Sequence, residues 1–116
     1  MKHSESDLQQ ACIKWFDYQY PRFKEMLFAV PNGGNRNLRE AARLKKEGVR
    51  CGISDLILLI SNLSYNCLCI EIKTEKGRQS ESQKYWQNLT IMYQNKYIII
   101  RSFDEFKKEI EDYFKS

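Results

Sequence analysis

Two short apolar runs bring three charged side chains together, and nothing else in the chain limits its fold so tightly. The first runs from Leu56 to Ile60; the second, Cys67-Leu68-Cys69-Ile70-Glu71-Ile72, ends on Lys73. The polar stretch from Ser61 to Asn66 reads as a turn, so the runs predict neighbouring strands of a hairpin. Nearly continuous Ile, Leu and Cys predicts strands buried on both faces. A charge does not belong inside such a strand unless something pairs with it. Yet Asp55 opens the first run, and Glu71 and Lys73 close the second. Side chains two apart in a strand share a face. Glu71 and Lys73 therefore project together, and hairpin pairing puts Asp55 at the same end of the sheet.

Two carboxylates and an ammonium at one spot suit a divalent metal site. Mg²⁺ takes hard oxygen ligands, commonly one or two carboxylates with waters and phosphates completing the shell. A bound ion lowers the pKa of its water and offsets charge on a phosphate. A lysine beside it can orient or deprotonate that water. The competing reading is structural: a buried Glu71–Lys73 ion pair, with Asp55 capping a turn.

Charge is unevenly spread. Residues 31–50 hold Arg36, Arg39, Arg43, Lys45, Lys46 and Arg50 against Glu40 and Glu47, a surplus equal to the +4 of the whole chain. A basic face beside a phosphodiester site is the footprint of a nucleic-acid binder. Arg36, Arg39 and Arg43 fall at helical spacing, which equally suits a solvated helix face.

Composition excludes several classes. With 42% hydrophobic and 29% charged residues over 116 positions, the chain predicts one globular domain with a real core, spanning 1–116. No apolar stretch approaches a membrane span, and no signal-peptide core is present, so no membrane partner is expected. Cys12, Cys51, Cys67 and Cys69 lack C-x-x-C spacing and His3 is the only histidine, which argues against zinc. Reduced thiols in a cytoplasmic protein are the expectation.

The elements follow in order. Ser4-Glu5-Ser6-Asp7 predicts a helix N-cap with an acidic first turn. Leu8, Cys12, Trp15, Phe16 and Tyr20 form the apolar stripe of that helix, which stops before Pro21. Met26 to Val30 predicts a strand, and Pro31-Asn32-Gly33-Gly34-Asn35 a turn. That turn is either purely structural or a loop that lets a nucleic-acid backbone come close, with Asn32 a polar contact. Asn37 and Glu40 predict a second helix ending at Gly48. Glu75-Lys76-Gly77-Arg78 is a polar turn with further basic residues. Ser80 and Gln83 predict a capping box opening a third helix, with Tyr85, Trp86, Leu89 and Met92 or Tyr93 as its buried stripe. Tyr97-Ile98-Ile99-Ile100 predicts a strand. Ser102 and Glu105 predict a last capping box, before a helix burying Phe103, Phe106, Ile110, Tyr113 and Phe114. So many aromatics exceed one small core and predict an exposed patch suited to a homodimer interface.

The flanks of the charged cluster resemble the VRR-NUC family of the PD-(D/E)XK nuclease superfamily. The pieces, in order, are Glu5 with Leu8-Gln9-Gln10, then Pro31-Asn32-Gly33-Gly34, then Gly48 and Gly52 before Asp55. Glu71-Ile72-Lys73, Gly77 and Gln83 complete them. The likeness spans roughly residues 5–100. Ser54 stands where the family usually carries proline, a position that supplies no metal ligand.

The resemblance implies an α/β fold with a restriction-endonuclease-like αβββαβ core, a mixed central sheet flanked by helices. It implies a metal-dependent DNA endonuclease. Asp55 and Glu71 would hold Mg²⁺ or Mn²⁺ with the Ile72 carbonyl and Glu5, and Lys73 would position the attacking water. Gln83 would reach back into the site from its helix. Glu5 and Gln83 also have structural roles, as a first-turn acid and a capping residue. Asn32, Gly33, Gly34, Arg36, Arg39, Arg43, Lys76 and Arg78 are the expected DNA contacts. The resemblance further implies a phage or prophage protein, as stand-alone members of the family often are, similar to structure-specific nucleases that work as homodimers on branched DNA in the manner of Holliday-junction resolvases. The alternatives are a restriction-type or other recombination endonuclease of the superfamily, or a non-catalytic DNA-binding phage accessory protein.

Overall fold

The computed structural model describes residues 4–31 and 37–116. A four-stranded mixed sheet in the order β1-β2-β3-β4 is flanked by helices on both faces. β1 (Leu27–Ala29), β2 (Leu56–Leu58) and β3 (Leu68–Ile72) pair antiparallel, and β4 (Lys96–Ile100) lies parallel to β3. The parallel pair needs a crossover, and helix α3 (Glu81–Met92) supplies it. Helices α1 (Glu5–Gln19), α2 (Leu38–Lys46) and α4 (Phe103–Lys115) complete the αβββαβ order with two additions, α2 and α4.

Alternation along the strands divides the sheet into an apolar face and a polar one. Leu56, Leu58, Leu68, Ile70, Ile72 and Ile100 are fully buried or nearly so, against Cys12 and Phe16 of α1 and Phe106, Ile110 and Tyr113 of α4. The aromatics fill the seam between α1 and α4. Trp15 meets Phe106 edge-on at 5.9 Å, and Phe114 packs on Tyr20 at 4.8 Å and on Phe23 at 5.6 Å. The opposite face carries Cys69, Glu71 and Tyr97, all buried, beneath α3.

Helix starts sit where the capping residues predict. Ser4 and Asp7 form a full capping box, as do Ser80 and Gln83. Asn37 accepts the Glu40 N–H at 2.7 Å, and Gly48 follows α2 at φ +103°. The last box differs from expectation. Ser102 accepts the Glu105 N–H, but the Glu105 carboxylate reaches past it to the Arg101 N–H at 2.8 Å.

Three further differences have physical causes. Residues Pro21–Met26 form a 3-10 helix with no buried residue, so no periodicity announces it. β2 stops at Leu58 because Leu59 turns out to solvent and the Ile60 carbonyl accepts the Tyr113 hydroxyl at 2.6 Å. The expected buried stripe of α3 is corrected. Tyr85, Met92 and Tyr93 are 67–68% exposed, while Thr90 is buried and Gln83, Trp86 and Leu89 are half-buried. The polar face of the sheet selects Gln83 and Thr90, seven residues apart on one side of the helix, and turns Tyr85 outward.

Candidate active site

The hairpin brings the charged residues to one end of the sheet. Leu56 pairs with Ile70 and Ile57 with Cys69, so Asp55 lies beside Glu71. Asp55 Oδ2 accepts the Ile72 N–H at 2.7 Å, fixing the carboxylate across the strand gap. Lys73 projects from the same face as Glu71, with Nζ 3.5 Å from Glu71 Oε2. Glu71 is 1% exposed and Lys73 8%. These two opposite charges, taken out of water, need hydrogen-bonding partners as well as each other.

Gln83 supplies them. Its Oε1 accepts from Lys73 Nζ at 3.0 Å and from the Ser80 N–H at 2.8 Å, while its Nε2 donates to Glu71 Oε2 at 3.0 Å. The capping role and the site role therefore coexist in one side chain. Capping fixes where the amide sits, and the amide closes a ring with Glu71 and Lys73. Gly52 sets the other edge. Its φ is +82°, and a Cβ there would overlap the Ser82 carbonyl, so only glycine lets this turn approach α3 so closely.

The ring does not balance the charge. Burial, and then Asp55 beside it, push the Glu71 carboxyl up to about 8, against the downward pull of Lys73. Two carboxylates face a single ammonium in a sheltered place. A hard divalent cation relieves this imbalance, and oxygen donors of this type are its ligands. Among the described residues no three His, Cys, Asp or Glu side chains converge enough to hold an ion by themselves. Asp55 and Glu71 could thus hold a cation only with peptide or water oxygens completing its shell.

Asp55 opens onto two clefts. One, of about 580 Å³, runs between α2 and the start of α3 and is lined by Leu44, Lys45, Gly52 and Gln83. The other, of about 660 Å³, is lined by Glu5, Gln9 and Ile13 of α1. Glu5 also lines a third hollow with Lys73, Lys76 and Arg101. It is exposed in the first turn of α1, facing the site without joining the Glu71 ring.

Of the basic residues, Lys45 and Arg50 line the first cleft, Lys14 the second and Lys76 the third hollow. Arg39 and Arg43 lie on α2, which buries no residue, and Arg43 pairs with Glu47 at 3.1 Å. Lys76 and Arg78 are exposed in the turn after Lys73. Asn32, Gly33, Gly34 and Arg36 lie outside the described residues.

Three residues of the neighbourhood escaped the sequence reading. Tyr97 Oη lies 3.4 Å from Glu71 Oε1, and Gln79 Nε2 donates to Tyr97 Oη at 3.2 Å. Arg101 Nη1 donates to the carbonyls of Thr74, Glu75 and Gly77 at 2.8, 3.3 and 2.6 Å, tying down the turn that carries Lys76. The one available signal was Tyr97 itself, a polar tip in an otherwise isoleucine strand. Its partner depends on the β3–β4 register, which no local pattern encodes.

No curated protein matches the chain. A solved structure described as a "VRR_NUC domain protein" has the same fold, with a TM-score of 0.86, 24% identity, and 99% of this chain and 91% of that one covered. The VRR-NUC domain family matches residues 3–94, from α1 through α3 with the whole charged cluster between them. The chain therefore belongs to the VRR-NUC family of nuclease-like domains.

Proposed function

We propose that this protein is a divalent-metal-dependent DNA endonuclease of the PD-(D/E)XK type, acting on branched DNA as a homodimer, in a phage or prophage setting. The observation that carries the reading is the convergence of Asp55, Glu71, Lys73 and Gln83 at one sheet end, beside clefts lined by Lys45, Arg50 and Lys76.

In this reading Asp55 and Glu71 would hold Mg²⁺ or Mn²⁺ together with the Ile72 carbonyl and water, and Glu5 would face the ion from α1. When bound, the ion supplies a water of lowered pKa and offsets charge on the scissile phosphate. Lys73 Nζ donates to Gln83 Oε1 and lies 3.5 Å from Glu71 Oε2, and with three N–H groups it would have one to hold the oxygen of the attacking water. Gln83 keeps the ammonium in place by accepting from it, and keeps Glu71 in place by donating to it. Basic side chains on α2 and in the turn after Lys73 bind the phosphates on either side of the cut.

The test is cleavage of linear duplex, flapped and four-way-junction DNA, with and without Mg²⁺ or Mn²⁺. Metal-dependent cutting that favours the junction is the expected result. Equal cutting of linear duplex turns the reading to a restriction-type enzyme, and binding without cutting to an accessory protein.

A further inference from the structure

We infer that Tyr97, oriented by Gln79, is a positioning residue that holds the Glu71 carboxylate from the side opposite Asp55. The inference rests on the proposed metal site and extends it to β4, beyond the segment that carries the family match. β3 lies between β2 and β4, so Glu71 has Asp55 on its β2 flank; on its β4 flank Tyr97, which pairs with Cys69 two residues back on the same face, reaches it diagonally. Lys73 and Gln83 both address Oε2. That leaves Oε1, and Tyr97 Oη is the group beside it, at 3.4 Å.

The direction of that contact is set by what lies behind it. Gln79 Nε2 donates to Gln87 Oε1 at 2.8 Å and to Tyr97 Oη at 3.2 Å. The phenol oxygen therefore accepts from Gln79, and its own proton points at Glu71. Trp86 meets the Tyr97 ring edge-on at 6.0 Å, which fixes the ring itself. Tyr97 is 9% exposed, so water does not compete freely for the hydroxyl. A contact of 3.4 Å is longer than the roughly 2.5–3.0 Å of a strong O–H···O bond. It steers the carboxylate without locking it. Accepting from Gln79 leaves the phenol proton in need of an acceptor, and Glu71 Oε1 is the acceptor in reach. The second partner is the carboxylate assigned to the metal, and groups that orient a ligand in this way commonly change metal affinity about 10–100-fold when removed.

The test is Mn²⁺ binding to the DNA-free protein by titration calorimetry, with thermal unfolding measured alongside. Tyr97→Phe keeps the ring and deletes the hydroxyl. It should weaken Mn²⁺ binding about tenfold or more. Gln79→Met keeps the phenol and removes the donor behind it, and should weaken binding by a smaller factor. The double variant should be no weaker than Tyr97→Phe, because the two groups act in series. If Tyr97→Phe binds Mn²⁺ like the wild type, the positioning role is overturned and the metal site stands. Should Tyr97→Phe fail to fold, wild-type affinity in Gln79→Met overturns it equally. A wild-type protein that binds no Mn²⁺ overturns the metal site, and this inference falls with it.

Discussion

Glu71 is the residue whose environment has most to say about pH. Its carboxyl is pushed up from 4.5 to about 8 by burial and by Asp55. Between those values the unfolded chain has released the proton and the folded chain still holds it. Stability of the metal-free protein therefore falls as pH rises through this window, and the loss is complete above about 8. Glu71→Gln cannot ionise. We expect it to remove most of that slope and to be more stable than the wild type at pH 8.5, as read by urea unfolding at pH 5 and pH 8.5. An unchanged slope would place the pH dependence elsewhere. The same variant, and Asp55→Asn, should lose cleavage by roughly a thousandfold, the several kcal/mol that a bound ion contributes to the transition state. Full cleavage by either variant in Mg²⁺ and Mn²⁺ would remove that carboxylate from the metal site. Asp55, Glu71 and Lys73 were legible because charges at the ends of apolar strands stand out against burial. Gln83 was half legible: Ser80-x-x-Gln83 announced the cap, and only the fold shows its amide closing the ring. Tyr97 was not legible, since its contact with Glu71 crosses two parallel strands joined through a helix.

Among the elements, the segment from α2 to β2 is placed by two glycines with different demands. Gly48 has φ +103° and open space around it, whereas Gly52 has φ +82° and the backbone of Ser82 and Gln83 against it. Gly48→Ala should cost about 1–2 kcal/mol, the backbone term alone. Gly52→Ala adds a collision with α3 and should cost about 2–5 kcal/mol. Equal losses, measured by urea unfolding, would mean that the approach of this segment to α3 is not tight. α2 itself owes little to packing, for its apolar Leu38 is 89% exposed. Arg39→Ala and Arg43→Ala should each weaken DNA binding and lower the slope of log affinity against log salt by about 0.9. The Arg43–Glu47 pair is exposed, and such pairs contribute little to stability, so the loss should lie in binding. An unchanged slope in the double variant would mean that this helix faces solvent. The start of α2 could be read from Asn37 and Glu40. Its detachment from the core could not, because an amphipathic pattern does not reveal whether a partner is present.

At the scale of the whole molecule the aromatics sort themselves into two groups. Phe16, Phe106 and Tyr113 are buried, and Trp15, Tyr20, Phe23, Phe103 and Phe114 pack against them. Much of the apparent surplus is thus the seam between α1 and α4. Tyr18, Phe28, Tyr65, Tyr85 and Tyr93 are exposed. Tyr85 and Met92 are seven apart on α3, so they share its outer face, and Ile91 is 51% exposed beside them. The Asn66 side chain donates to the Tyr93 carbonyl at 3.0 Å, which ties the turn bearing Leu63, 95% exposed, to the same end of the helix. This apolar surface is the one through which we expect the proposed homodimer to form. A two-fold axis through α3 would oppose the same residues from each copy, Tyr85 and Met92 among them. The active-site ends of the two sheets would then stay open to two strands of a junction. Light scattering should give the mass of two chains at micromolar concentration. Tyr85→Lys with Met92→Lys should give the mass of one, with an unfolding midpoint close to that of the wild type, because neither side chain supports the core. The monomeric variant should still bind Mn²⁺ and should lose paired cutting of a four-way junction. A single-chain mass for the wild type, both free and on junction DNA, would remove the dimer and the resolvase-like reading with it.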